Sequence, residues 1–333
     1  MQNDHVPVRA IGGTAAARLM TFARQLAVEY GTASNPHLVE QAPEFADALD
    51  FEVREQCQVP DQGSFVLSGL SVDDTEIGPT PSHWSKSCPE RTADWDIAML
   101  LVASVMGRVF GWEGQQGGKL VHDIVPSPGQ EEEQTGAGST VLLSPHNEDA
   151  FHPERAHLLM LGCLRNPDRV ATLAASVRSV ELDEADRQML AQPTLPILPD
   201  DSYSVAQDGD NEAPEIPTLW QRADGICVRF DPAYTPLERA HEPYRAAYHR
   251  LEQGLRHATT TVRLDPGDLL VIDNDVVVHG RVPFQARYDG TDRWLKRVNV
   301  TVPGRARPPQ ESDEHGYGQQ TVDPYHGAAV EDR

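Results

Sequence analysis

The chain has 333 residues, 39% of them hydrophobic, with 51 acidic side chains against 28 basic ones and a net charge of −23. That balance argues against nucleic acid or an anionic membrane as a partner, because both are held by clustered Lys and Arg. It leaves a protein long enough to bury a core without disulfides, whose acidity fits a small neutral or cationic ligand and equally fits plain solubility or a salt-tolerant host.

From the N-terminus, ARLMTFARQLAVEYG (17–31) has helical spacing and ends on Gly, and a second helix is expected within 37–57. SFVLSGL (64–70) reads as a strand, and SVDDTEIGPTPSHW as a polar, turn-rich connection. DIAMLLVASVMGRVFGW (96–112) is apolar nearly all round and predicts a buried helix. Short strands follow at LVHDIVP (120–126), STVLLSP (139–145), HLLMLGCLR (157–165) and VATLAA (170–175). A short helix is expected over 179–192, a strand at ICVRF (226–230), and a surface helix over 236–258 with i,i+4 charges. TTVRLDPGDLLVIDNDVVVHG (260–280) reads as two strands broken at DPGD, and LKRVNVTV (295–302) as the last strand.

Helices gathered at the N-terminus and many short strands predict an α+β fold. Residues 1–303 are expected to form one domain: N-terminal helices over 13–57 and a strand-rich core over about 64–303, with the helix 236–258 inserted. Residues 304–333, rich in Pro, Gly and acid, are expected to be a mobile tail or lid. The four cysteines form no CxxC pair, and Cys163 in LLMLGCL reads as a core thiol. No secretion-signal core is seen and no apolar run reaches the ~18 residues of a membrane span, so the cytoplasm is the expected compartment.

SPHNEDAF (144–151) places His146 and Glu148 two apart, and on a strand both would face one way. A surface ion pair would use the same spacing, so the pair gains meaning only with a third ligand. His279, closing the apolar run of VIDNDVVVHG, can supply it. Two imidazoles and a carboxylate make the facial triad of non-haem Fe(II) enzymes, and zinc can bind the same set. The other histidines, among them His5, His37, His241 and His326, read as solvated.

Downstream, Arg293 and Arg297 lie fourteen and eighteen residues after His279. On a strand, positions 293, 295 and 297 share a face. Two guanidiniums on an inner face need anions, from protein acids or from a ligand, and Arg grips carboxylates in bidentate fashion.

Triad and arginine pair together resemble the clavaminate synthase-like Fe(II)/2-oxoglutarate-dependent oxygenases. The resemblance runs in order over roughly 64–302, through SPHNEDAF, LRNPDRVATLAA, DDSYSV and IDNDVVVHGRVPFQARYDGTDRWLKRVNV. Within that family the chain looks most like the hydroxylases of free L-amino acids, of the arginine β-hydroxylase and asparagine oxygenase types, which serve antibiotic biosynthesis. The resemblance implies a double-stranded β-helix (jelly-roll) core with flanking helices. It implies that His146, Glu148 and His279 ligate Fe(II), and that Arg293 holds the distal carboxylate of 2-oxoglutarate with Thr172. It further implies that Arg297 holds the substrate α-carboxylate, while Gln115 and Glu148 take the α-amino group. O2 is the remaining co-substrate.

Which amino acid is bound depends on the side-chain pocket. Asp200, Ser202 and Asp231 fall where the arginine β-hydroxylase receives a guanidinium, but a second acid of that pair is replaced here by Ala233. The expected reaction is 3-hydroxylation of arginine, an arginine analogue or lysine. Action on asparagine, glutamine or a carrier-bound residue, desaturation or cyclisation, and a non-catalytic metal-binding role remain alternatives.

Overall fold

The computed structural model describes residues 6–199, 203, 214–313 and 315–322. In chain order, β1 (Val8–Ala10) leads into α1 (Gly13–Tyr30), α2 (Pro36–Asp47), α3 (Phe51–Gln56), β2 (Ser64–Ser68), α4 (Asp74–Ile77) and α5 (Pro89–Met106). Then come β3 (Arg108–Trp112), β4 (Val121–Ile124), β5 (Leu143–His146), β6 (Leu158–Arg165) and β7 (Thr172–Ser176). α6 (Glu184–Leu190), β8 (Leu219–Arg222), β9 (Gly225–Val228), α7 (Glu242–Ala258) and β10 (Thr260–Val262) precede β11 (Leu269–Asp273), β12 (Val277–Arg281), β13 (Trp294–Thr301) and β14 (Thr321–Val322).

The fold is mixed α and β. One sheet runs β1-β2-β11-β6-β13-β3-β14, with β4 also on β13, and a second runs β10-β7-β12-β5. Strand parity explains why so many strands are apolar on both faces. Phe65, Leu67, Leu158, Met160, Leu269, Val271 and Val298 face the helices α1, α2 and α5. Their neighbours Val66, Leu159, Leu161, Leu270, Ile272 and Leu295 point the other way, to Ala174, Val262 and Val277 of the second sheet. α7 covers the outer face of that second sheet with Tyr244, Ala247, Tyr248, Leu251 and Leu255, at helical spacing.

Several sequence expectations are corrected. The helix expected over 96–112 starts at Pro89, a favoured first-turn proline, and stops at Met106. RVFGW is instead β3, because its aromatic and β-branched side chains pair with β13, Asn299 opposite Phe110. The segment 37–57 holds two helices, the first capped by Asn35, whose Oδ1 accepts from His37 N at 2.9 Å. The segment 260–280 holds three strands. His122, His152 and His157, read as solvated, are buried.

The residues from Gly304 onward were expected to be a mobile tail, but up to Val322 they pack on the core. β14 adds to the edge of β3, with Thr321 opposite Trp112. Glu311 is buried and receives Arg155 in bidentate fashion, at 2.7 and 3.2 Å, with Arg229 3.5 Å away. The same arginine reaches the fully buried Asp275 at 3.4 Å, which Arg307 joins at 3.1 Å. Tyr317 Oη donates to Ile197 O. Residues 323–333 lie outside the described residues.

His152 ties this segment down. Its Nε2–H donates to Gln319 O and its Nδ1 accepts from Glu154 N, both at 3.0 Å. Burial, with Arg229 and Arg155 nearby, pushes its pKa down to about 4, and burial pushes His157 down to about 3. Both folded values lie below the unfolded 6.5, so between about pH 6.5 and 4 the unfolded chain binds more protons. Stability from these residues is full above pH 6.5 and is lost as pH falls through that window. We expect Tm to drop between pH 7 and pH 5, with a shallower drop in His152→Gln; thermal melts at both pH values check this.

Candidate active site

The metal-binding candidates meet across β5 and β12. His279 and His146 are direct cross-strand partners, with ring centroids 4.6 Å apart. On β12, Val277, His279 and Arg281 alternate inward while Val278 faces α7. Glu148 arrives differently from the sequence expectation. β5 ends at His146, and Glu148 lies in the turn that follows. Asp149 takes the left-handed conformation there (φ 51°) and is held by Trp112 Nε1 at 2.7 Å and Tyr203 Oη at 2.6 Å.

Two asparagines that the sequence reading did not single out fix this turn. Asn274 Oδ1 accepts from Glu148 N at 2.8 Å, and its Nδ2 donates to the carbonyls of Glu148 and Ala156. Asn147 Nδ2 donates to Asn274 O and its Oδ1 accepts from Phe230 N, both at 2.7 Å. Their signal was visible as the N of HNED and of IDND. Together they staple the Glu148 turn to the β11–β12 turn.

One ligand atom from each of His146, Glu148 and His279 can be chosen so that all lie within 4.8 Å of one another. His146 Nδ1–H donates to Ser144 O at 2.7 Å, which leaves Nε2 as the ligand atom. His279 Nε2 stands 3.3 Å from Glu148 Oε2, and its buried Nδ1 has no hydrogen-bond partner among the described residues. Burial alone would raise the Glu148 pKa, but Arg297 and the two imidazoles outweigh it and hold the group well below the usual carboxylate range. The site thus keeps an ionised carboxylate beside two imidazoles, a donor set that fits Fe(II) or Zn(II).

Arg297 contacts Glu148 Oε1 through Nη1, and its Nη2 meets Gln115 Oε1 at 2.7 Å and His122 Nδ1 at 2.9 Å. His122 lies opposite Arg297 on β4, and its Nε2–H donates to Lys119 O. Burial and Arg297 push the His122 pKa down to about 3, so it is neutral and accepts from the guanidinium. Nothing in the sequence reading marked it.

Arg293, Leu295 and Arg297 line one cavity of about 370 Å³, as parity suggests, although the register shifts between Trp294 and Leu295. Arg293 Nη2 donates to Thr172 Oγ1 at 3.1 Å. Arg281, not predicted, lines the same end and binds the carbonyls of Ser139 and Val282. Burial lowers the pKa of both arginines to about 10, and no carboxylate among the described residues pairs with either. Two guanidiniums with no acid partner are a ready anion site.

Of the three residues of the predicted side-chain pocket, Asp231 alone is among the described residues. Asp231 is buried and its Oδ1 accepts from Ala233 N at 3.0 Å; it is not among the described residues lining the cavity. Asp200 and Ser202 lie outside the described residues. No helix among the described residues is long and apolar enough to cross a membrane.

An open two-histidine, one-carboxylate centre beside a cationic anion site is the arrangement of a non-haem iron oxygenase. The chain belongs to the taurine catabolism dioxygenase TauD, TfdA family, whose model matches residues 101–299. It is 36% identical to an enduracididine beta-hydroxylase of Streptomyces hygroscopicus, over 85% of this chain and 91% of that protein. It is 33% identical to an L-ornithine/L-arginine 3-hydroxylase of Catenulispora acidiphila, over 83% of this chain and 89% of that one. The non-heme iron oxygenase OrfP, solved with Fe, succinate and (3S)-hydroxy-L-Arg, superposes with a TM-score of 0.81 at 36% identity, covering 89% of this chain and 95% of that one.

Proposed function

We propose that this protein is an Fe(II)- and 2-oxoglutarate-dependent dioxygenase that hydroxylates a free cationic L-amino acid at Cβ. Succinate and CO2 are the co-products. The observation that carries the reading is the shared cavity in which the His146–Glu148–His279 cluster adjoins Arg297 and the Arg281–Arg293 end, which no acid among the described residues pairs. We read the two packed sheets as a jelly-roll core, and residues 6–322 as one oxygenase unit.

In this reading His146, Glu148 and His279 hold Fe(II), which with 2-oxoglutarate and O2 supplies the two-electron oxidation and the inserted oxygen atom. One oxygen atom enters the C–H bond, and the other leaves in succinate. The residues of the chain position and screen. Arg293 and Thr172 take the distal carboxylate of 2-oxoglutarate, and Arg281 adds positive charge beside it. Arg297 takes the substrate α-carboxylate in a two-pronged grip, oriented by neutral His122. Gln115 and Glu148 lie against the same guanidinium, where they can accept from the α-ammonium. Clamped at both zwitterion ends, the amino acid presents Cβ to the metal, and reach decides the carbon oxidised. Asp200, Ser202 and Asp231 remain assigned to the side-chain pocket by resemblance. The expected partner is a small molecule, in the cytoplasm.

The test is coupled turnover. Protein loaded anaerobically with Fe(II) and 2-oxoglutarate is exposed to O2 with each free amino acid, and products are read by mass. A +16 product from arginine, an arginine analogue or lysine, matched one to one by succinate, is the expected result. Turnover confined to asparagine or glutamine would keep the chemistry and overturn the cationic substrate. Succinate without oxidation of any free amino acid would overturn the free-substrate reading.

A further inference from the structure

We propose that Glu133 is the carboxylate that receives the cationic end of the substrate side chain. This rests on the preceding reading and names a residue for its unassigned pocket.

Three carboxylates among the described residues line the cavity: Asp123, Glu148 and Glu133. Asp123 is consumed by Lys296 Nζ at 2.8 Å and Trp294 Nε1 at 2.8 Å. Glu148 lies against Arg297 and His279 and is already assigned to the metal and the α-ammonium. Glu133 has no cation within ion-pair distance among the described residues; its Oε2 accepts from Gln130 Nε2 at 3.0 Å. The cavity is therefore polarised. Arg281, Arg293 and Arg297 make one part of the wall cationic, and of the residues 130 and 133–137 that line another part, Glu133 is the one carboxylate. A zwitterion with a positive side chain would satisfy both: carboxylate at Arg297, ammonium or guanidinium at Glu133.

The wall that presents Glu133 is built as a fixed loop. Ser139 N and Thr140 N both donate to Glu131 O, at 2.9 and 3.0 Å, and Ser127 N donates to Ala137 O at 3.0 Å. Gln134 bridges to the His146 strand, donating to Leu142 O and accepting from Ser144 N, both at 3.0 Å. Gly138 packs so closely that a Cβ there would lie 2.2 Å from Glu133 O. Arg281 reaches across to the carbonyls of Ser139 and Val141, so the anion end and this wall are tied together. A preorganised carboxylate loses little entropy on binding a cation, which makes it suited to recognition.

The experiment is calorimetric titration of arginine, lysine and citrulline into protein holding Fe(II) and 2-oxoglutarate without O2. Citrulline keeps the shape of arginine and removes its charge. Wild type is expected to prefer the cationic ligands. Glu133→Gln should weaken them by about 10- to 100-fold and leave citrulline within about 2-fold, while Glu133→Asp, which keeps the charge, falls between. Cationic binding unchanged in Glu133→Gln, or arginine and citrulline weakened alike, would overturn the role of Glu133 alone. Wild-type protein that binds citrulline or asparagine but no cationic amino acid would overturn both Glu133 and the cationic reading.

Discussion

Replacing His279 by Ala is expected to abolish iron retention and to lower coupled succinate formation by about 1,000-fold or more, because two remaining ligands do not make a facial site. The fold should survive. His279 contributes an inward side chain in the middle of β12, while Val276, Val277 and Val278 carry the packing on both sheet faces. Iron content after desalting and a thermal melt separate the two effects. Wild-type iron content in His279→Ala would remove this residue from the metal site. His146→Ala should behave alike, because the bond from its Nδ1–H to the Ser144 carbonyl presents Nε2 as a ligand atom.

Replacing Arg297 by Ala is expected to reduce kcat/KM for the amino acid by about 100- to 1,000-fold and to leave the KM for 2-oxoglutarate within a few-fold. Removing one partner of a buried charge pair typically costs about 3–5 kcal/mol, since the other is left uncompensated. Here the stranded groups are Glu148, Gln115 and His122. Arg297→Lys retains charge and loses the planar fork, so it should recover only part of the loss. Steady-state kinetics with each co-substrate varied in turn provides the check. An equal rise in both KM values would mean that Arg297 serves the whole cavity rather than the amino acid. The corresponding change at Arg293 should show the opposite pattern, raising the KM for 2-oxoglutarate.

Much of the site was legible because it follows strand parity. His279 at the end of an apolar run and Arg293, Leu295 and Arg297 two apart can be placed on a wall without coordinates. HxE was legible as a motif for a reason that parity alone does not supply. Glu148 reaches the proposed metal position through a turn held by Asn147 and Asn274, contacts made across more than a hundred residues. His122 was hidden because its role comes from register: it sits opposite Arg297 only once β4 pairs with β13. Apolar content also misled at 107–112, where helix and buried strand have the same composition and only the partner, β13, decides. The acidic C-terminal segment looked soluble by composition, but Glu311 is buried against Arg155 and Arg229, which come from two other parts of the chain.

That last contact sets an order of events during synthesis. The strand that borders β3, two residues before the turn that leads to Gln115, is residues 321–322, far downstream of every proposed metal ligand. On the ribosome, where chains emerge from the N-terminus, the triad can be translated while this edge and the Glu311 anchor are still missing. A C-terminally clipped chain would keep the side chains that line the cavity and lose the strand and the buried acid that brace β3 and Arg155. Clipping is therefore expected to loosen the support of the strand that leads to Gln115 without removing a cavity-lining side chain.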